Sequence, residues 1–319
     1  MNYDVFNGDA DGICALHQLR LAEPRQATLI SGVKRDIRLL DKLAADPAVQ
    51  GAAITVLDIS MDSNREPLTV LLRRENSIVY VDHHFAGEIP GVNNLRATID
   101  ADPDICTGLI VDRLLGGRFR AWGVVAAYGD NLHGAAQRAA APLGLAAGEP
   151  EILRELGELM NYNGYGREPA DLHLTPQELY LAVAPYENPL VFCRESGVLL
   201  RLRNGYAEDM ERARSVAPVA ESGGGRIFNF PDVAWSRRVA GVFSNEKARE
   251  MANKAHALLV DNGDHTFMVS VRAPLANKQG AAALCRQFPT GGGREAAAGI
   301  NALPAAQLDD FVDAFRRTW

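Results

Sequence analysis

Acidic and imidazole side chains gather at four points of the sequence. Asp9 and Asp11 lie in Asn7-Gly8-Asp9-Ala10-Asp11-Gly12, and Asp58 stands alone. Asp82-His83-His84 forms a third cluster, and Asp130 follows Gly129. Carboxylates with an occasional imidazole suit Mn²⁺ or Mg²⁺, whereas zinc more often takes cysteine or several histidines. Two such ions roughly 3.5–4 Å apart can clamp a phosphoryl group and acidify a water, supplying a hydroxide nucleophile near neutral pH. Taken singly, these aspartates also read as helix caps or turn residues. Brought together, they repel one another unless a cation joins them.

The elements between these points explain how they could converge. Short aliphatic and β-branched runs at 4–7, 27–31, 53–57 and 78–81 read as buried strands. Helical patterns at 13–22 and 38–43 separate them. Strand and helix alternating in this way predicts a parallel, doubly wound α/β sheet. Three of the clusters follow the first, third and fourth runs. Parallel strands deliver them to one edge, beyond the carboxyl ends, where such sheets bind ligands.

After Asp130 the pattern turns helical and less regular. Residues 191–216 read as a long connecting helix, and Ser222-Gly223-Gly224-Gly225 as a linker. The expected organisation is a metal-binding catalytic domain over 1–190, a helical connector and glycine-rich linker over 191–225, and a smaller C-terminal α/β domain over 226–319. In that last part, Ser244 is expected to cap a helix reaching about 256. Asp261-Asn262-Gly263-Asp264 should turn a hairpin. Pro304 should open a final helix whose apolar stripe, Leu308, Phe311, Val312, Phe315 and Trp319, faces a core.

The chain of 319 residues is 47% hydrophobic and 23% charged, an ordinary globular mix. No apolar run reaches the roughly 20 residues that span a bilayer, and Met1-Asn2-Tyr3-Asp4 lacks the regions of a signal peptide. A cytoplasmic protein with no membrane partner is expected. Cys14, Cys106, Cys193 and Cys285 form no CxxC pair. A formal charge of −7 argues against coating long nucleic acid. It leaves room for a small phosphorylated ligand in a locally positive cleft. Arg237-Arg238 reads as a solvated pair.

In order and spacing the four clusters resemble the motifs of the DHH phosphoesterase family, and the likeness covers nearly the whole chain. Asp9-Ala10-Asp11-Gly12 resembles the first motif, Asp58 the second, Asp82-His83-His84 the third, and Gly129-Asp130-Asn131 the fourth. The resemblance implies two Mn²⁺ ions, with Mg²⁺ as the alternative. Asp9 would bind one and Asp11 the other, Asp58 would bridge them, and His83 and Asp130 would complete the ligand set of the second metal. His84 would face the substrate phosphate and act in catalysis with Asp58. Asp82 would stand behind the ligands and orient its neighbours. Many members carry histidine where Asn7 stands, so Asn7 is a weak candidate ligand for the first metal, with His133 as a substitute.

The C-terminal part resembles the DHH-associated domain that closes over substrate in many members. Ser270-Val271-Arg272 looks like its Ser-x-Arg motif. The run from Gly291, Gly292, Gly293 and Arg294 to Gly299 looks like its glycine-rich loop. Glycines let backbone N–H groups approach an anion, and Arg272 and Arg294 can grip phosphate bidentately. Lys278 is a weaker candidate. Nuclease members often carry histidine where Arg294 stands.

The implied function is metal-dependent hydrolysis of phosphoesters in short nucleotide-type substrates: very short oligonucleotides, nucleoside bisphosphates or dinucleotides. Two other functions would keep the same core. One is phosphoanhydride hydrolysis, as in polyphosphatases and pyrophosphatases, and the other is nucleotide-binding regulation by a decayed centre. The sequence leaves the oligomeric state open, a homodimer included.

Overall fold

The aliphatic runs of the first half pair into one all-parallel sheet. In this computed structural model, which describes residues 1–319, the strands are β1 (Asn2–Phe6), β2 (Thr28–Ile30), β3 (Ala53–Leu57), β4 (Ser77–Asp82) and β5 (Leu95–Ile99). Their order is β2-β1-β3-β4-β5. Parallel neighbours need crossovers. The first three are carried by α1 (Ala10–Ala22), α2 (Leu39–Ala44) and α3 (Arg65–Arg73). Because β1 lies between β2 and β3, the chain leaves it first to one side and then to the other. Such a reversal opens a crevice at the strands' carboxyl ends.

Two apolar layers hold this sheet. Val5, Ile54, Val56, Ile78 and Tyr80 pack with Leu39, Leu40, Leu68 and Leu71. Burying each such side chain is worth about 1.5–3 kcal/mol. The helix α1 is itself buried along Ile13–Gln18. It packs beside α4 (Thr107–Leu114), α5 (Arg120–Gly129), α7 (Glu149–Asn163) and α8 (Pro176–Val183). The remaining helices of this half are α6 (His133–Ala140), α9 (Pro189–Glu195) and α10 (Val198–Ser215). No helix is long and apolar enough to cross a membrane.

The expected single helix over 191–216 is two helices, α9 and α10. Gly197 between them has φ +70°, a left-handed conformation that ends a helix. The chain divides into two compact units within α10, Met1–Asn204 and Gly205–Trp319.

The second unit is built on a mixed sheet. Its elements are β6 (Ala220–Glu221), β7 (Gly225–Phe230), α11 (Ala234–Glu250), β8 (Ala255–Asp261), β9 (Thr266–Arg272), α12 (Ala281–Cys285), β10 (Gly291–Arg294), β11 (Ala297–Pro304) and α13 (Leu308–Thr318). The order is β10-β11-β9-β8-β7-β6, with only β7 and β8 parallel. The hairpin at Asn262-Gly263 forms as expected, between β8 and β9. The stripe on α13 faces the core, with Phe311 and Phe315 fully buried.

Four local expectations differ. Ser244 lies inside α11, and its hydroxyl donates to the Ala240 carbonyl at 2.8 Å instead of capping a helix. Pro304 ends β11, and α13 starts at Leu308. The glycines after Ser222 turn β6 into β7 rather than forming a linker. At Gly224 a Cβ would stand 1.8 Å from the Trp319 carbonyl oxygen, so close approach of the C-terminus requires glycine there. Arg238 is not solvated but buried, donating to both oxygens of Asp209 at 2.7 and 3.0 Å.

His17 on α1 titrates against the fold. It is buried edge-on to Trp122, and its Nε2 donates to the Tyr186 carbonyl at 2.8 Å. Burial pushes its pKa from 6.5 down to about 4, and the hydrogen bond offsets this only in part. The unfolded chain therefore takes up a proton before the folded one. The stability linked to His17 is complete above pH 6.5 and is lost as pH falls toward about 4. Thermal melts across that window should show a falling midpoint, and His17→Gln should flatten the fall. An unchanged slope in the variant would remove His17 from the account.

Candidate metal centre

Strand ends bring the first three acidic clusters to the crevice, and backbone N–H groups fix their direction. Asp9 caps α1, its Oδ1 accepting from the backbone N–H of Asp11 at 3.0 Å and Gly12 at 3.2 Å. Asp11, in the first turn of α1, reaches the start of α4. There it accepts from Thr107 N at 2.8 Å and Gly108 N at 2.7 Å. The first N–H groups of a helix have no internal partner and favour an anion. Gly108 permits this approach, since a Cβ there would stand 2.4 Å from Ala126 Cβ and 3.1 Å from Asp11 Oδ1. Asp58 follows β3 in a left-handed conformation, φ +58°. Its N–H donates to Val81 O at 3.1 Å, and its Oδ1 accepts from the Thr107 hydroxyl at 3.3 Å. Asp130 closes the C-terminus of α5.

His83 draws these acids around one nitrogen. Its Nδ1 lies 3.0 Å from the Ile105 carbonyl oxygen. A carbonyl only accepts, so Nδ1 carries the proton, and in the neutral ring Nε2 presents a lone pair. Facing that nitrogen are Asp58 Oδ1 at 3.5 Å, Asp130 Oδ2 at 3.7 Å and Asp11 Oδ2 at 4.0 Å. These separations are too long for hydrogen bonds. Lone pairs converging on one point suit a divalent cation, and the Nδ1 contact is the usual way a ligating imidazole is oriented. The donor set of Asp11, Asp58, His83 and Asp130 therefore fits one such ion.

The proton affinities follow from crowding. Burial first, then Asp11, Asp9, Asp82 and Asp130, pushes Asp58 well above the ordinary carboxylate range. Burial and Asp11 push Asp130 up to about 6, against the pull of Lys34. Asp9 goes the other way. Burial would raise it, but the charge and hydrogen bond of Lys34, with the Gly12 N–H, hold it below its ordinary value.

No motif pointed to Lys34, yet it is a cation built into the cluster. Its Nζ is 2.6 Å from Asp9 Oδ2 and 3.6 Å from Asp130 Oδ1, and it donates to Asn161 Oδ1 at 2.7 Å. Burial disfavours its charge, but Asp9 above all keeps its pKa raised. Its position just past β2, at the same edge as the acids, was the available signal. Asn7 accepts from Asp9 N and donates to Lys34 O, both at 3.3 Å, so its amide braces two main chains.

Behind the acids, Asp82 is fully buried. Its Oδ1 is 2.7 Å from His84 Nδ1, and its Oδ2 has no partner. The hydrogen bond to Asp82 raises the pKa of His84. Asp58, His83 and His84 each present a ligand atom within 4.8 Å of the others. A raised pKa disfavours the neutral ring that a metal needs, and the acids facing His83 carry no such penalty from Asp82. His133 is not brought to the cluster; it lies exposed against the Tyr128 ring.

Arg272 and Arg294 lie in the second unit. Arg272 donates to Asn245 Oδ1 at 2.7 Å and Ser270 Oγ at 2.9 Å. It pairs across β9 and β11 with Ala297, which pairs with Arg294. Both arginines therefore share one face of the sheet, roughly 10 Å apart. The expected glycine-rich loop is instead an edge strand, Gly291, Gly292 and Gly293 pairing with Ile300, Gly299 and Ala298. Lys278 is exposed.

No protein-family model and no curated protein matches the sequence. Solved structures match it in fold. RecJ from Thermus thermophilus in complex with Mn²⁺ superposes with a TM-score of 0.67 at 15% identity, covering 99% of this chain. The chain has the RecJ fold. It spans about half, 51%, of that RecJ chain. An exonuclease RecJ bound to manganese gives 0.63 at 14% identity, over 99% of this chain and 89% of that one. PggH from Vibrio cholerae, a pGpG-specific phosphodiesterase, gives 0.56 at 11% identity, over 100% of this chain and 99% of that one. The motif resemblance to DHH phosphoesterases is thus matched by a RecJ-like arrangement of the whole chain. At these identities the comparison establishes the fold, and the chemistry rests on the residues.

Gly108→Ala should push on both Ala126 and Asp11. The expected cost is about 1–3 kcal/mol by chemical denaturation, with metal affinity weakened about 10–100-fold. Unchanged Mn²⁺ affinity would show that the α4 N-terminus does not position Asp11.

Proposed function

We propose that this chain is a divalent-metal phosphoesterase acting on short nucleotide-type substrates. The observation that carries the reading is the convergence of Asp11, Asp58 and Asp130 on Nε2 of His83, at the ligand-binding edge of a parallel sheet. The oxygen-rich set favours Mn²⁺, with Mg²⁺ as the alternative. RecJ structures with each of these ions share the fold. When bound, the ion supplies Lewis-acid stabilisation of phosphoryl charge and a more acidic water.

The chain's own residues divide the remaining work. Asp58, the most crowded acid, anchors the centre. His84, whose pKa the hydrogen bond to Asp82 raises and which is nearly half exposed, meets the substrate phosphate. Phe85 beside it is 74% exposed and offers a stacking face to a nucleobase, a contact worth about 1–3 kcal/mol per base. Arg272, Arg294 and the glycine strand Gly291–Gly293 are proposed as further phosphate donors. Very short oligonucleotides, nucleoside bisphosphates and dinucleotides fit these features better than long strands, and the formal charge of −7 agrees. The fold shared with a pGpG-specific phosphodiesterase supports the same class.

The test is nucleotide or phosphate release with Mn²⁺ across a panel: a short RNA, a nucleoside 3′,5′-bisphosphate, a linear dinucleotide, a long single strand and a polyphosphate. Turnover of a short nucleotide is expected. Asp58→Asn should reduce it by roughly 10³-fold, as losing several kcal/mol of charge stabilisation implies. No turnover of any panel member would reject the hydrolase reading.

The raised pKa of His84 also sets a pH limb. Phosphate binding by the imidazolium is complete below that pKa and is lost as pH rises through it. Asp82→Asn removes the interaction that raises it, so the alkaline loss of activity should begin at lower pH. A limb that stays in place would exclude His84 as the titrating group.

A further inference from the structure

We infer that the Lys34 ammonium takes the place of one metal ion, so that the centre holds a single divalent ion among Asp11, Asp58, His83 and Asp130. This rests on the metal-dependent reading above and narrows it, replacing the pair of ions that the motifs imply.

The residues expected to hold the other ion are already engaged. Asp9 Oδ1 accepts two backbone N–H groups, and Oδ2 lies 2.6 Å from Lys34 Nζ. An ion such as Mg²⁺ on the side of that oxygen facing Lys34 would lie about 2.1 Å from it, inside the space the ammonium fills. Asn7 turns its amide oxygen to Asp9 N and its amide nitrogen to Lys34 O, so both ends of the amide are engaged by main chain.

Lys34 is also held where it is. Its backbone N–H donates to Gly164 O at 2.8 Å, its Nζ donates to Asn161, and the Tyr165 ring centroid lies 5.7 Å from Nζ. Swinging the side chain aside for a second ion would break its contacts with Asn161, Tyr165 and Asp9. Asp130 marks the divide between the two positive sites. Its Oδ1 faces Lys34 and its Oδ2 faces His83.

The two cations differ in what they can do. An ammonium is a point charge with three donors and no open coordination position. Lys34 can therefore compensate the acids and orient an anion, while Lewis-acid chemistry falls to the single ion. The ammonium also cannot be removed by a chelator.

The test is metal content by elemental analysis, with Mn²⁺ titration and electron paramagnetic resonance, on chelator-stripped wild type and two variants. Wild type should bind one Mn²⁺ per chain, with the signal of an isolated ion. Asp9→Asn keeps a residue that caps helices well and should retain that ion with affinity changed by no more than about tenfold. Lys34→Met, which keeps the stem, should admit a second ion and show spin coupling. Asp9→Asn keeps the test decisive should the methionine variant not fold. Two ions in wild type, or loss of the ion in Asp9→Asn, would overturn the inference while leaving the phosphoesterase reading intact. No Mn²⁺ in wild type would overturn both.

Discussion

Mutual repulsion among buried carboxylates is the constraint this structure is organised around. Asp9, Asp11, Asp58 and Asp82 are all nearly or fully inaccessible, and Asp130 stands close enough to raise the pKa of Asp58. In a medium of low effective dielectric such a group is strongly unfavourable unless each member has its own compensation. The fold provides it for each. Asp9 has the start of α1 and Lys34, Asp11 has the start of α4, and Asp58 has the Thr107 hydroxyl. Asp82 has His84, and Asp130 shares Lys34 with Asp9. Helix starts are thus used as much as side-chain cations.

That solution dictates the packing around it. Two helix N-termini must reach the same crevice, so α4 has to cross close to α1 and α5. Gly108 marks where this happens, and at Gly129, where α5 meets α1 and α7, a Cβ would lie 2.3 Å from Ala10 Cβ and 3.0 Å from Gly157 O. Close packing of helix against helix therefore lies directly beside the acids. Rigidity at the site follows from packing density, since neighbours in van der Waals contact leave little room for a carboxylate to swing.

The parts legible in the sequence were those written locally. Ala53–Leu57 was bounded to the residue, because a short aliphatic run that ends in a charge is a local signal. The placement of Asp9, Asp58 and His83 followed from the period of strand and helix. What was not legible depends on distant partners. Lys34 follows a three-residue strand, and its meaning comes from Asp9, Asp130 and Asn161, the last of these 127 residues away. The glycines after Ser222 look like a flexible linker in isolation, yet the C-terminal Trp319 explains Gly224. The break at Gly197 was open to detection, because a glycine inside a helical pattern is a recognised punctuation mark.

One residue shows why motif transfer and structure can part company. In the motif, Asp9 is a metal ligand; in the fold, its Oδ1 is a helix cap, and capping is worth roughly 0.5–2 kcal/mol whatever else the residue does. A capping aspartate near a metal is therefore under two demands, of which only the second requires a metal. Once a lysine stands 2.6 Å from the free oxygen, the cap and the charge pair together account for Asp9 without a bound ion. An intact motif is then expected even where its coordination role has passed to a side chain. Asn7, where the resembled motif carries histidine, is consistent with this, since its amide braces the Asp9 and Lys34 main chains and so supports the pair.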